Sequence, residues 1–384
     1  MSAPRVALVR QRYNAAGGAE RFIARALDAL SREGAELTII TRHWDPAGTA
    51  KSIVTLDPFH LGRTWRDWSF ARAVCRHLRD TRYDLVQSHE RLDCCDIYRA
   101  GDGVHREWLM QRGRVVGPLR RATLWASPHH RYLLAREKRV FCSARVRAVV
   151  CISRMVRDEI VRHYGTPESK LPVVYLGVDL DQYHPSERHR LRAAQRSALG
   201  LRDDDFALVH VGSGFERKGV ATLLRAAARS SVPCHAIIVG GDKHESRYRE
   251  MAHALGIGRR VHFMGVQPDA RPYYSAGDVF VMPSLYEPFG NANMEALAMG
   301  LPLVTSTKSG VAELLRPGVT GYVHDALDVD GIAASIRALS DRDRRLGMGS
   351  AARRLAEEFS LEATTRQLLD LYAQLLSASP AIAD

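Results

Sequence analysis

Tyr286-Glu287-Pro288-Phe289-Gly290-Asn291-Ala292-Asn293-Met294-Glu295 is a turn running into a helix, with a carboxylate on either side of the junction. Pro288 and Gly290 supply the turn, and Asn291 to Met299 reads as a helix that places Glu295 in its second turn. The apolar run Val279–Met282 just upstream is strand-like, so the whole is strand, turn, helix, the repeating element of doubly wound sheets. The first N–H groups of a helix have no intrahelical partner and present partial positive charge to whatever lies in front of them. Such a mouth, flanked by two carboxylates that accept bonds from hydroxyls, suits a phosphate and several sugar hydroxyls together. The same residues also fit a plain turn with two solvated charges, and the surrounding sequence has to decide.

The alternation of strand and helix continues in both directions. Downstream of residue 200, Phe206–Val211, Ala236–Val239, Val261–Met264, Val279–Met282 and Leu303–Thr305 read as strands. Helical spacing separates them at Val220–Arg229, Ser246–Leu255, Ala270–Ala276, Asn291–Met299 and Gly310–Leu315. Leu327–Leu339, Asp341–Phe359 and Leu361–Ser377 close the chain as helices. Upstream, Val6–Val9, Leu37–Thr41, Asp84–Ser88, Cys95–Tyr98, Arg147–Ile152 and Val173–Leu176 read as strands, with helices at Ala19–Arg32, at Trp65–Leu78 and after the cap Ser153. Near-continuous apolar strands between amphipathic helices indicate parallel sheets covered on both faces. The polar, Arg-rich Ser186–Ser197 reads as a linker. We therefore expect an α/β protein of two doubly wound Rossmann-like domains facing a central cleft, residues 1–178 and 179–358, with 359–384 as a C-terminal helix.

At 384 residues with 46% hydrophobic and 26% charged, the chain suits two globular domains. No apolar run is long enough to span a bilayer, and the N-terminal residues lead straight into a strand, so a cytoplasmic protein is expected. The six cysteines are scattered without paired spacing and read as reduced, buried fillers rather than a zinc site or a disulfide framework. The formal charge is +12, and eleven Lys and Arg against two acids fall between His105 and Arg147, interleaved with Trp108, Trp125, Tyr132 and several Leu. Arg120, Arg121, Arg136 and Arg139 in this segment fit docking on an anionic membrane or an anionic acceptor. Nucleic acid is the competing partner, and a solvated basic helix face the plain alternative.

Three glycine-bearing turns follow strands, where ligands bind in such sheets. Gly17-Gly18 stands before the first helix, and a structural turn explains it equally well. In Gly212-Ser213-Gly214-Phe215-Glu216-Arg217-Lys218-Gly219 two adjacent cations stand at a helix mouth, the arrangement that clamps a diphosphate and stabilises it as a leaving group. The order is not that of a Walker loop. Asp102, in Gly101-Asp102-Gly103, either orients an acceptor hydroxyl or caps its own turn. The Asp-x-Asp pairs lie in linkers, loops and helix starts, so no metal site is expected, and His129-His130 reads as a surface pair.

Taken in order, the Gly-Gly turn, Gly214-Phe215-Glu216-Arg217-Lys218-Gly219 and Glu287-x₇-Glu295 resemble the retaining glycosyltransferases of family 4, with the two-domain GT-B fold. Val211–Gly219, Val239-Gly240-Gly241-Asp242-Lys243 and Leu92-Asp93 through Asp102 are most similar to the lipopolysaccharide core glucosyltransferase I group. The resemblance implies that Arg217 and Lys218 bind the donor diphosphate, helped by Gly214, Phe289, Gly290 and Asn291. It implies that Glu295 holds the ribose, Glu287 the donor sugar, and Val266 the nucleobase. It also implies that Gly17 and Gly18 close on the phosphate, that Asp102 lies close to the transferred sugar, and that the terminal helix Leu361–Ser377 crosses back onto the first domain. Many family members carry a His where Asp102 stands, and His105 is three residues on, so which of the two touches the sugar stays open.

The implied reaction is metal-independent and retaining, needs no cofactor, and moves a hexose from a UDP-sugar, glucose first, to a membrane-associated anionic glycolipid such as the lipopolysaccharide inner core. The implied site is the inner face of the cytoplasmic membrane. UDP-galactose and UDP-N-acetylglucosamine on another envelope glycan remain open, since a one-hydroxyl difference is decided by contacts that spacing does not show. A nucleotide-sugar epimerase and a nucleic-acid-binding protein are the readings from other classes; the latter would be indifferent to Glu287 and Glu295.

Overall fold

The computed structural model describes residues 4–13, 35–44 and 52–377; the expected helix Ala19–Arg32 and the Gly17-Gly18 turn lie outside the described residues. The chain forms two compact units, Met1–Leu176 with Glu362–Asp384, and Gly177–Leu361.

In the first unit the strands are β1 (Arg5–Val9), β2 (Arg12–Tyr13), β3 (Glu36–Thr41), β4 (His43–Trp44), β5 (Ser52–Thr55), β6 (Leu85–Ser88), β7 (Ile97–Ala100) and β8 (Ala148–Cys151). Its helices up to that point are α1 (Gly62–Asp80), α2 (His105–Arg112), α3 (Pro118–Ala126) and α4 (Pro128–Phe141), with α5 (Arg154–Tyr164) after β8. Six strands pair in parallel in the order β5-β3-β1-β6-β7-β8, and β2 pairs with β4 apart from them. β1 is buried from Val6 to Val9 and β6, β7 and β8 throughout, as the apolar runs require of strands covered on both faces. α5 starts where Ser153 Oγ accepts from Val156 N–H at 3.2 Å and stops at Gly165, whose φ of +67° is the left-handed geometry that favours glycine.

The second unit runs α6 (Pro185–Ala198), β9 (Phe206–Val211), α7 (Phe215–Lys218), α8 (Val220–Arg229), β10 (Cys234–Val239), α9 (Glu245–Ala254), β11 (Val261–Phe263) and α10 (Arg271–Ala276). It continues with β12 (Val279–Met282), α11 (Asn291–Ala298), β13 (Leu303–Ser306), β14 (Gly321–His324), α12 (Val329–Ser340) and α13 (Arg342–Glu357). The parallel order is β11-β10-β9-β12-β13-β14. In each sheet the chain builds outward from a central strand, first one way and then the other, so a switch point lies between β1 and β6 and another between β9 and β12. Loops after two such strands diverge and leave a crevice at their carboxyl ends.

The final helix α14 (Leu361–Ser377) returns to the first unit, where the Tyr372 hydroxyl donates to Gln87 Oε1 at 2.6 Å and Arg147 Nη2 to the Leu375 carbonyl at 2.6 Å. The fold class is thus the expected α/β pair of doubly wound sheets with a returning C-terminal helix.

Three expectations need correction. Ser186–Ser197 is not a linker but the body of α6, which packs on α10. Its inner face is made of guanidinium groups rather than apolar side chains: Arg188, Arg192 and Arg196, four residues apart, reach the C-terminal carbonyls of α10 and the carboxylate of Asp278. Val173–Leu176 contributes only an isolated bridge between Val173 and Cys151, not a strand. The cysteines are not all reduced: Cys75 on α1 is bonded to Cys94, while Cys95, Cys142, Cys151 and Cys234 are free. Closing a loop with a sequence separation of 19 stabilises a fold by about 3 kcal/mol through the unfolded chain.

Candidate active site

β9 ends in a loop that turns at Gly214 (φ +81°) into the single-turn helix α7, and α7 ends at Gly219 (φ +75°). A Cβ on Gly219 would lie 1.9 Å from the Pro283 carbonyl oxygen, so only glycine lets this loop press against the loop after β12. Leu285 N–H donates to the Arg217 carbonyl at 2.8 Å across the same contact. The two loops flank the switch point, and their side chains meet there. Arg217 Nη1 donates to Glu287 Oε2 at 3.0 Å, and Lys218 Nζ donates to the same oxygen. The loop after β13 completes the enclosure through Glu287 N–H to the Lys308 carbonyl and Gly310 N–H to the Glu287 carbonyl, both 2.8 Å.

Glu287 and Lys218 are each 8% exposed, so their charges are largely out of water. Burial works against both. For Glu287 the two cations outweigh it and hold the carboxyl below its ordinary range. For Lys218 burial prevails, with Arg217 beside it, and the ammonium is pulled down despite Glu287. Beneath them His210 of β9 donates from Nδ1 to the Val281 carbonyl at 3.0 Å, its pKa pushed down to about 4 by burial, and its Nε2 has no hydrogen-bond partner among the described residues.

Gly290 (φ +91°) caps α11, and a Cβ there would meet Asn293 Nδ2 at 2.7 Å and Glu287 Cγ at 3.0 Å. Glycine therefore lets the helix start fold tightly onto Glu287. Asn293 is buried, with Nδ2 donating to Ser309 Oγ at 3.1 Å, and its Oδ1 has no hydrogen-bond partner among the described residues. Glu295, a turn later, accepts from the Tyr274 hydroxyl at 2.8 Å, which fixes its carboxylate at the edge of the site. Asn291 opens the helix half-buried, and Phe289 is wholly buried under the turn. Phe215 N–H donates to Asp242 Oδ2 at 2.7 Å, tying the Gly214 loop to the Gly240-Gly241 turn, and Val266, 74% exposed, stands beside Gly241. Arg217, Lys218, Glu287, Gly290 and Asn293 thus form one cluster, with Glu295 flanking it. Sequence reading missed Asn293, Ser309, Tyr274 and His210; the polar Asn293 inside an apolar helix face was the available signal.

In the first unit Asp102 is exposed, 3.8 Å from a guanidinium nitrogen of Arg91. Arg91 also lies 3.4 Å from Glu137, a fully buried carboxylate that accepts from His105 N–H, from Arg106 N–H at 3.2 Å and from the Tyr164 hydroxyl at 2.8 Å. His105 Nε2 meets His130 Nδ1 at 3.0 Å, and burial, then Arg91 and the neighbouring His rings, lowers its pKa to about 3. His129 bonds Thr64 Oγ1 at 3.2 Å, and the His129-His130 pair is half-buried, at the surface but held by these contacts. Arg136 does not belong to an exposed patch: it donates to the Arg91 carbonyl at 2.8 Å and to Asp93 at 2.9 Å, holding the loop after β6. Arg120, Arg121 and Arg139 are exposed, and on α3 no side chain is buried. Among the described residues no cluster of three or more His, Cys, Asp or Glu could hold a metal ion, and no helix is long and apolar enough to cross a membrane.

Residues 16–182 match the model of Glycosyltransferase Family 4 and residues 192–355 that of Glycosyl transferases group 1. A D-inositol 3-phosphate glycosyltransferase of Nocardia farcinica (strain IFM 10152) is 30% identical over 401 residues, covering 94% of this chain and 85% of the relative. Against the D-inositol 3-phosphate glycosyltransferase of Rhodococcus jostii (strain RHA1), 34% identical over 228 residues and 56% of this chain, the match spans only 50% of the relative's length. In structure the chain is similar to WaaG, a glycosyltransferase involved in lipopolysaccharide biosynthesis, with a TM-score of 0.81 at 22% identity over 95% of this chain and 99% of that one. Anabaena Alr3699/HepE, solved in complex with UDP and glucose, gives 0.73 at 20% identity over 97% and 100%. Both sheets, both family models and a relative matched over 94% of this chain and 85% of its own length agree, and the chain belongs to glycosyltransferase family 4, with the GT-B fold.

Proposed function

We propose that the protein transfers a hexose, glucose first, from a UDP-sugar to a membrane-associated anionic glycolipid of the lipopolysaccharide inner-core type, with retention and without a metal. The observation that carries the reading is the meeting of Arg217, Lys218 and Glu287 at the switch point of the second sheet, in front of the α11 N-terminus. There Arg217 and Lys218 engage the diphosphate, a charge that otherwise falls to a divalent ion, with the α11 backbone behind it. Glu295, steadied by Tyr274, takes the ribose hydroxyls, and Glu287 takes the sugar's. Val266 stands at the nucleobase end, and Asp102 serves the acceptor side. UDP as the nucleotide is supported by the UDP and glucose bound in HepE, and the acceptor class by WaaG. UDP-galactose or UDP-N-acetylglucosamine on another envelope glycan is the alternative.

Calorimetric titration with UDP tests the donor site. Wild type binds, and Glu295→Ala weakens binding by about tenfold or more through the lost charge-assisted contacts. No heat with any nucleoside diphosphate would remove the transferase reading.

Membrane contact is assigned to α3 and its approach, where Met110, Val115, Leu119 and Trp125 are exposed beside Arg120 and Arg121. Each basic residue near an anionic surface contributes about 1 kcal/mol, so Arg120→Ala with Arg121→Ala weakens sedimentation with anionic vesicles by about 30-fold at low salt. Unaltered sedimentation would end the assignment.

A further inference from the structure

We propose that His210 is a positioning residue of the donor site, its Nε2 being the buried acceptor that secures the Lys218 ammonium under the donor diphosphate. This rests on the donor reading above and deepens it by one residue. β9 and β12 pair only as far as Val209 and Phe280, beyond which the two strands part to open the switch point. His210 is the next residue of β9, and its Nδ1 donates at 3.0 Å to the carbonyl of Val281, the next residue of β12. The ring therefore plugs the floor of the crevice where the ladder ends. Two residues on, Gly212 N–H still bonds the Val239 carbonyl of β10 at 2.8 Å, so Gly212 follows His210 along one face of the strand. The Lys218 stem lies on that glycine: a Cβ there would meet its Cε at 3.1 Å and its Cδ at 3.3 Å. Lys218 thus stands over Gly212, with His210 as the neighbouring side chain.

A carbonyl only accepts, so Nδ1 carries the proton and Nε2 is a bare lone pair, the negative end of the ring. The ring is wholly buried, and Nε2 has no hydrogen-bond partner among the described residues. An unsatisfied buried acceptor is costly, and an apolar side chain would fill the space without that cost. A second proton does not answer the need: burial first, and Lys218 against the Val281 bond, hold the pKa down to about 4.

The ammonium above it is short of acceptors. Lys218 has three protons to place, and among the described residues its hydrogen-bond partner is one oxygen of Glu287, which it shares with Arg217. Burial pulls the ammonium below its ordinary range; Glu287 opposes this and Arg217 adds to it. These two and His210 are the groups that bear on its charge, and Lys218 and Glu287 are those that bear on the ring. A neutral acceptor beneath the ammonium favours its charged form and, unlike a second carboxylate, does not repel the diphosphate.

The test is the UDP affinity of the full chain, by calorimetry from about pH 7 to about pH 10. His210→Asn keeps a donor to Val281 in the place of Nδ1 and has no atom at Nε2. His210→Gln reaches the place of Nε2 and gives up the Val281 bond. In wild type UDP affinity falls on the alkaline side as Lys218 loses its proton. Without Nε2 the proton leaves at lower pH, so His210→Asn moves that fall down by about one pH unit and binds UDP about tenfold more weakly within it. At neutral pH the two bind alike, and His210→Gln restores the alkaline limb. In a Lys218→Arg background His210→Asn leaves the limb where it is, because a guanidinium does not titrate there. The ionisation of UDP itself is common to all variants and drops out of the comparison. A role confined to the Val281 bond gives the reverse order, Asn like wild type and Gln impaired, and overturns the proposal. So does an Asn effect that survives in Lys218→Arg, or a limb that coincides with unfolding in a thermal melt at the same pH. UDP silence at every pH condemns the donor reading, and the proposal with it.

Discussion

Lys218→Ala lowers kcat with a UDP-sugar donor by about a hundred- to a thousandfold, the cost of one preorganised charge at a developing leaving group. The reasoning starts from burial. Lys218 is 8% exposed and held by Glu287, so its ammonium is in place before any ligand arrives and acts where solvent screening is weak. Arg217 is more exposed and bonds the same carboxylate at 3.0 Å, so Glu287 keeps one cation in the variant and the loop keeps an anchor. The loss is therefore expected in turnover more than in folding, and Lys218→Arg recovers only part of it because the fork does not fit the space of an ammonium. Steady-state kinetics beside a thermal melt decide the matter: a folded variant within threefold of wild-type kcat would remove Lys218 from the mechanism. The pair also sets an acid limit. Because Glu287 is held below its ordinary range, its contribution to stability is complete above the unfolded value of about 4.3 and is lost as pH falls through the lower folded value.

Much of the fold was legible because central strands such as Val6–Val9 and Val279–Met282 are apolar on both faces and stand out as runs. β5 and β14 were missed because neither reads as an apolar run: Ser52–Thr55 is mostly exposed and Gly321–His324 mostly half-buried. The expected strand Val173–Leu176 shows the converse, an apolar run with a single bridge to the sheet. The bond between Cys75 and Cys94 was invisible because spacing says nothing of two cysteines on a helix and a distant loop. At the site, residue types and glycines were readable, but the direct pairing of Glu287 with Arg217 and Lys218 was not. These residues are about 70 apart, and only the strand order that places β9 beside β12 brings them together.

The misreading of Ser186–Ser197 has the largest consequence for stability: Asp278→Ala destabilises the second unit by about 3–5 kcal/mol, the cost of leaving buried cations without their anion. Asp278 is 4% exposed and stands just before β12. Arg192, Arg196, Arg188 and Arg345 reach it at 2.7, 3.5, 3.8 and 4.0 Å. Its second oxygen accepts from Ala207 N–H at 2.9 Å, which seats the start of β9. Positive charge is already crowded here: burial, then Arg192, lowers the Arg188 guanidinium to about 10. Removing the carboxylate leaves the guanidinium groups with backbone carbonyls alone, those at the end of α10 and those of Arg202, Asp205, Leu339 and Ser340, and loosens α6, whose inner face has little apolar surface to hold it. Asp278→Asn keeps the bond to Ala207 but not the charge and falls between wild type and Ala. At roughly 2–4 °C per kcal/mol the Ala variant melts about 6–20 °C lower. A shift under about 2 °C would mean that the arginines of α6 find water as readily as they find Asp278, and that α6 is the linker its composition suggests.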